Sequence, residues 1–152
     1  MHDRAEHLIA QLRLEPHPEG GCYRQIFKSS AQRDGRAALT AIYFLLAAGQ
    51  HSRWHRVASD EIWAHIEGAA IDLWTFDDRA VARETLAPLV DGSPVIVVPR
   101  SVWQAAEVRG DYALVACFVA PGFEFEDFTL MADDADARER LRLTDPELLR
   151  LV

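Results

Sequence analysis

The chain has 152 residues, 49% of them hydrophobic, with a formal net charge of −8 and a pI near 5.2. This is one domain's worth of chain, with enough apolar content to fold without a disulfide or structural metal, and its acidity argues against nucleic acid, whose phosphates it would repel. No apolar run approaches the roughly 20 residues that cross a bilayer, the charged start Met1-His2-Asp3-Arg4-Ala5-Glu6 lacks a signal peptide's apolar core, and Cys22 and Cys117 form no metal or redox motif; a cytoplasmic protein with no membrane partner is expected.

Leu8, Ile9 and Leu12 fall at helical spacing, which predicts an N-terminal helix over about 5–14. Pro16-His17-Pro18-Glu19-Gly20-Gly21 cannot continue it and reads as a turn. From Cys22 the texture changes to short β-rich runs: Tyr23–Phe27, Leu39–Leu46, Glu61–Ile66, Ile71–Phe76, Val95–Val98, Trp103–Val108 and Ala113–Val119. Breakers such as Asp34-Gly35, Ala58-Ser59-Asp60 and Arg109-Gly110-Asp111 separate them. Many short strands at near-regular spacing predict an all-β sandwich or barrel over about 22–130. Phe123, Phe125 and Phe128 alternate with acidic residues and read as an edge strand. Asp145 as N-cap and Pro146 as first helical residue predict a closing helix over about 145–152.

The informative stretch runs from Gly49 to Gly68 and reads as strand, tight turn, strand. His55 lies just before the turn and Glu61 just after it, so a hairpin can bring them onto one face. Glu61, Trp63 and His65 then alternate with Ile62, Ala64 and Ile66, giving one polar and aromatic face and one apolar face. In a closed barrel the polar face would line a cavity. There a carboxylate beside an imidazole raises its basicity and fixes its tautomer, which makes a usable general base.

The spacing is Gly49, five residues, His55-Arg56-Val57, three residues, Glu61, six residues, Gly68. It resembles the first motif of the cupin superfamily, with Val57 in place of that motif's second histidine. The second cupin motif is matched only by Pro99, with Gln104 where its histidine would stand. His17-Pro18-Glu19-Gly20-Gly21, Ser59-Asp60-Glu61-Ile62-Trp63, Trp103-Gln104 and Pro121-Gly122-Phe123 resemble one branch of small single-domain cupins without an assigned activity. The resemblance implies an antiparallel cupin barrel, or jelly roll, with a short helix at each end. It implies a functional pair in His55 and Glu61, in hydrogen-bond reach of one another. It further implies ligand contacts from Trp63, His65, Gln104, Glu19 and Cys117.

A typical cupin metal site would draw on His55, Glu61 and the position of Gln104. Val57 supplies no ligand, and His65 lies roughly 13 Å from Glu61 along an extended strand, at about 3.3 Å per residue. No cofactor is certain, and a divalent transition metal stays open as an alternative. Three functions remain: a metal-independent epimerase or isomerase acting with a histidine base on a small polar, sugar-like molecule; a non-catalytic binder of such a molecule; and a metal-dependent cupin enzyme. Tyr43 and Tyr112 are candidates for the acid of the first. Open sheet edges predict a homodimer.

Overall fold

The computed structural model describes residues 2–152. Helix α1 (Asp3–Leu12) starts two residues earlier than its apolar periodicity implies. The His2 ring accepts from the Arg4 N–H and caps it, and Arg13 in the left-handed region ends it. Its buried Ala5 and Leu8 pack on Leu45, Ala47 and Leu114 of the barrel wall.

Thirteen strands follow: β1 (Glu15–Pro16), β2 (Cys22–Lys28), β3 (Gln32–Arg33), β4 (Arg36–Ala37), β5 (Thr40–Ala47), β6 (His51–Arg56), β7 (Asp60–Gly68), β8 (Ile71–Phe76), β9 (Val81–Leu86), β10 (Val95–Val98), β11 (Trp103–Val108), β12 (Tyr112–Ala120) and β13 (Thr129–Leu130). They form a six-stranded sheet in the order β1-β2-β5-β12-β7-β10, a five-stranded sheet in the order β13-β6-β11-β8-β9, and a separate β3-β4 hairpin. The fold is the expected antiparallel cupin barrel. Strand β9 is absent from the sequence-based expectation because Ala82, Arg83 and Glu84 are all exposed on an edge and carry no apolar alternation.

The barrel interior is apolar at one end, where Leu46, Ile71, Leu73, Leu86, Ile96 and Val115 are fully or almost fully buried. Each such side chain contributes about 1.5–3 kcal/mol on leaving water. Strand pleating sends alternate residues the other way, so Val115 and Cys117 face this core while Leu114 lies under α1.

The closing C-terminal helix falls where the sequence places it, with Asp145 at its N-cap and Pro146 in its first turn, but it is 3₁₀ and an α-helix that the sequence reading did not include precedes it. The α-helix there is α2 (Ala135–Thr144), capped by the Asp134 carboxylate accepting from the Ala137 N–H at 2.9 Å. The segment Pro146–Leu151 is a 3₁₀ helix, and Asp145 makes no side-chain capping bond. Together they seat Leu141, Leu148 and Leu151 against Trp54, Trp103 and Phe76 on the outside of the five-stranded sheet.

Candidate functional site

A cavity of about 280 Å³ opens between the sheets at the end of the barrel away from that apolar core. Its polar floor is His17, Glu19, His55 and Glu61, with Gln25 and Thr40 at the side. Tyr23, Ile42, Val57, Cys117 and Val119 add wall, and Phe123, Phe125 and Phe128 close the rim.

The hairpin between His55 and Glu61 is held from outside. The Asp60 carboxylate accepts from the Arg100 N–H at 2.8 Å, and the Ser101 N–H donates to the Val57 carbonyl at 2.9 Å. These bonds tie the turn to the loop before β11. His55 is paired in register with Gln104, which places both on the inner face of the five-stranded sheet.

Glu19 arrives from the opposite direction, on the turn after β1. The turn lies flat on the barrel because Gly20 (φ +111°) approaches the His51 carbonyl so closely that a Cβ would sit 2.3 Å from its oxygen. A Cβ on Gly21 (φ +66°) would sit 2.7 Å from the Leu45 carbonyl oxygen. The Arg53 N–H donates to the Glu19 carbonyl at 2.7 Å, and the Arg53 guanidinium to the Pro18 carbonyl. The Glu19 side chain therefore turns inward and is buried.

No hydrogen bond or ion pair joins His55 to Glu61 among the described residues, contrary to the expectation from the motif. The carboxyl partner of His55 is Glu19, whose Oε2 lies 3.2 Å from His55 Nε2. Nδ1 of His55 donates to the Arg53 carbonyl at 2.7 Å, so the neutral ring presents a lone pair at Nε2. Nδ1 of His17 accepts from the Glu19 N–H at 3.2 Å and lies 3.4 Å from the same Oε2. Two imidazole lone pairs thus converge on one carboxyl oxygen. A carboxylate there would be repelled by both, so the proton belongs on Glu19 Oε2. Its other oxygen accepts from Ser52 Oγ at 2.8 Å.

Electrostatics agree with this geometry. Burial pushes Glu19 up to about 8, against the opposing pull of Ser52 and Arg53. Desolvation lowers His55 despite the raising influence of Glu61 and of its bond to the Arg53 carbonyl. Desolvation, with His55 adding repulsion, lowers His17 to about 4. The usual order of carboxyl and imidazole is inverted.

Glu61 belongs to a second chain of bonds. Trp63 Nε1 donates to Gln104 Oε1 at 2.9 Å, and Gln104 Nε2 donates to Glu61 Oε2 at 2.6 Å. The Cys117 thiol also bonds Glu61. Burial raises Glu61 to about 7, the nearby His55 opposing and Glu19 reinforcing the rise. Burial beside these carboxyls raises the Cys117 thiol well above its usual range, so it is a neutral donor and not a thiolate.

Of the residues singled out from sequence, Glu19, His55, Glu61 and Cys117 line the cavity. Trp63 and Gln104 do not reach its surface; they lie behind Glu61, almost wholly buried, and hold it in place. His65 is also outside it, with Nε2 bonded to the Ala69 carbonyl at the end of its own strand. A register shift between Leu114 and Val115 in the β7–β12 pairing falls opposite this part of β7. Tyr112 bonds Glu67 on the outer surface, and Tyr23 is the tyrosine that lines the cavity.

Sequence reasoning missed His17 and the phenylalanine rim. Phe125–Asp127 is a 3₁₀ turn and not an edge strand. The Thr40 hydroxyl accepts from the Phe123 N–H at 2.9 Å, and Arg36 pairs with Asp127, so the segment folds back over the opening. His17 packs edge-on to Tyr23 at 4.5 Å and face-on to Phe125 at 6.2 Å, joining the two lids. Three phenylalanines within six residues, after Pro121-Gly122, were the available signal.

The residues present do not fit the metal set of a cupin. Val57 stands at one ligand position, both ends of the Gln104 amide are bonded to Trp63 and Glu61, and His55 Nε2 faces Glu19. Among the described residues no three His, Cys, Asp or Glu side chains are arranged to hold an ion. His55, Glu61 and Gln104 are therefore not assigned as ligands.

Comparison with known proteins follows the same lines. A Shewanella oneidensis protein of known crystal structure is 31% identical, with a TM-score of 0.85, and the match covers 97% of this chain and 96% of that one. A hypothetical protein from Leishmania major is 28% identical with a TM-score of 0.80, over 94% and 93% of the two chains. A cupin 2 conserved barrel domain protein from Rhodopseudomonas palustris shares the fold at 16% identity and a TM-score of 0.63, over 91% and 84%. No functionally curated protein matches the sequence. The family described as "Cupin superfamily (DUF985)" matches residues 6–131, and with that span, the barrel and the motif around His55 and Glu61 in agreement, this chain belongs to it.

Proposed function

We propose that this protein binds a small polar, sugar-like molecule in the barrel cavity and moves a proton on it, as a metal-independent isomerase or epimerase does. The observation that carries the reading is the contact between Glu19 Oε2 and His55 Nε2 at 3.2 Å, beside an open cavity. A protonated carboxyl and an unprotonated imidazole side by side offer a ligand in the cavity one proton donor and one proton acceptor. In the reaction, His55 Nε2 takes a proton from a ligand carbon beside a carbonyl, and the electron pair moves onto oxygen. Glu19 gives its proton to that oxygen or to carbon. The pair is left as imidazolium and carboxylate, and one transfer between them restores the starting state. Atoms of the ligand are conserved and no oxidant is needed. Glu61, buried and raised to about 7, is placed to orient a hydroxyl or hold the developing charge.

The test begins with a thermal-shift screen of sugars, sugar phosphates and nucleotide sugars. With a ligand in hand, His55→Ala should lower turnover by about 100-fold or more while the protein stays folded. Parent-like turnover by that variant would reduce the Glu19–His55 pair to a structural contact.

The protein also pairs with a second copy in this reading. Ile62 and Ile66 on β7 and Val95 and Val97 on β10 are 39%, 47%, 52% and 55% exposed and adjoin one another on the outer face of the six-stranded sheet. Strand β10 ends that sheet, and an apolar edge invites a partner. Light scattering at micromolar concentration should give the mass of two chains for the parent and of one chain for Val97→Asp. A monomeric parent would remove the proposal.

A further inference from the structure

The cavity has an unusual balance of charge for a site that handles polar molecules. Among the described residues no lysine or arginine lines it. Arg56, next to His55 in the chain, turns outward, its guanidinium 4.4 Å over the Trp103 ring and 3.6 Å from Asp134, and Arg53 donates its guanidinium to the Pro18 carbonyl and its N–H to the Glu19 carbonyl. Arg36 at the rim is committed to Asp127 and the Gly122 carbonyl. The polar groups that face the space are two buried carboxyls, Glu19 and Glu61, two imidazoles, and the uncharged groups of Tyr23, Gln25, Thr40 and Cys117, below a rim of phenylalanines. An anion entering here would exchange water for a site with two carboxyls and no lysine or arginine as countercharge, which is costly in a space of low dielectric. The carboxyls are already bonded to Ser52, His55, Gln104 and Cys117, so they are not free to close on an ammonium group.

From this we infer that the ligand is an uncharged hydroxy-carbonyl compound of about monosaccharide size with one apolar face. Sugar acids, sugar phosphates and nucleotide sugars are excluded as its class. The inference rests on the proposed function for the site and narrows its substrate. The volume agrees: about 280 Å³ holds a single ring with a substituent and leaves no room for a nucleotide. So does the arrangement of walls, with hydrogen-bonding groups on the floor and aromatic faces at the rim, where Phe128 lies 5.4 Å from the His55 ring. An amphipathic ring sits with its hydroxyls down and its apolar face against the phenylalanines.

Matched probes test it on the full chain. Phenyl β-D-glucoside and phenyl β-D-glucuronide differ by a carboxylate, D-glucose and D-glucose 6-phosphate by a phosphate, and benzyl alcohol and benzylamine by a cationic centre. Saturation-transfer NMR at pH 7.5, repeated on Val57→Phe to fill the cavity, locates each signal. The expected result is that the neutral member of each pair binds at least ten times more tightly than its charged partner, and that its signal is lost in Val57→Phe. An anionic or cationic member that binds as well as its neutral partner overturns the inference. So does the absence of cavity-dependent binding by every neutral probe. Should anions bind while His55→Ala still abolishes their turnover, the substrate class is wrong and the proton-transfer function stands.

Discussion

The two faces of the five-stranded sheet carry consecutive residues to opposite ends. On β6, Trp54 points out and His55 points in; on β11, Trp103 points out and Gln104 points in. The outer face is closed by Met131, Leu141, Leu148 and Leu151 and is dry. Trp54 Nε1 finds the Leu148 carbonyl at 3.0 Å, but Trp103 Nε1 has no hydrogen-bond partner, its ring lying under the Arg56 guanidinium at 4.4 Å. The inner face is the reverse. Each polar atom of Gln104 and Glu19 is matched to a neighbour, and the space in front of them is left open. An unpaired indole N–H costs about 1–3 kcal/mol, which a large apolar core absorbs. A polar network cannot absorb such a loss without losing its geometry. One face holds the barrel together, and the other spends stability on a cavity.

The largest effect that would sharpen this contrast lies on the outer face. Trp54→Ala removes a wholly buried side chain and strands the Leu148 carbonyl, and should cost about 3–5 kcal/mol in urea unfolding. A loss below about 1 kcal/mol would mean that the C-terminal cover contributes little. The cavity and its proton pair should then be intact in whatever fraction stays folded.

The inner face should reveal itself through pH. Glu19 and Glu61 have folded values of about 8 and about 7, above the ordinary carboxyl range near 4.3. For a group raised on folding, the contribution to stability is full below its unfolded value and is lost as pH rises through its folded value. His17 and His55 are lowered, so their effect is confined below about 6.5, where the unfolded chain takes up protons that the folded one refuses. Cys117, raised well above its usual range, adds a fall only from about pH 8.5 upward. Between pH 6.5 and 8 the parent should therefore lose stability through the two carboxyls alone. Glu19→Gln should flatten part of that fall, since an amide donates to His55 Nε2 as the protonated acid does but cannot ionise. A profile unchanged in both Glu19→Gln and Glu61→Gln would show that neither carboxyl is raised.

How much of this was legible in the sequence follows from range. Strands with apolar alternation, the turn at Val57–Asp60 and the identity of the barrel could be read because each depends on near neighbours and on motif spacing. The Glu19–His55 contact could not, because it joins positions 36 apart through a turn whose path depends on two glycines pressed against the His51 and Leu45 carbonyls. The motif suggested Glu61 as the partner of His55 because hairpin neighbours are the default; Gln104 and Cys117 claim that carboxyl instead. His65 was misplaced because strand alternation fixes a face and not a depth. The pairing is regular from Glu61 to His65, but the strand carries His65 beyond Trp63, past the end of the cavity, to the Ala69 carbonyl. The phenylalanine rim was read as a strand because the contacts that fold it back, Thr40 with Phe123 and Arg36 with Asp127, come from residues far along the chain.

The smallest expected effect tests whether the rim belongs with the inner face or the outer one. Phe125 is 52% exposed, in edge contact with Phe123 at 4.9 Å and face-on to His17. Phe128 lies deeper, over the His55 ring at 5.4 Å and edge-on to His17 at 5.8 Å. An exposed side chain away from any cap or buried bond changes stability by about 0.5 kcal/mol or less, which for a chain of this length is about 1–2 °C in Tm. Phe125→Ala should thus melt with the parent while binding phenyl β-D-glucoside several-fold more weakly, because its ring faces the cavity mouth more than the protein. Phe128→Ala should lose both, since its ring does both jobs. If Phe125→Ala instead destabilises as much as Phe128→Ala and leaves glucoside binding untouched, the rim is core that happens to be visible. The contrast between a face built for stability and a face built for a ligand would then stop at the cavity floor.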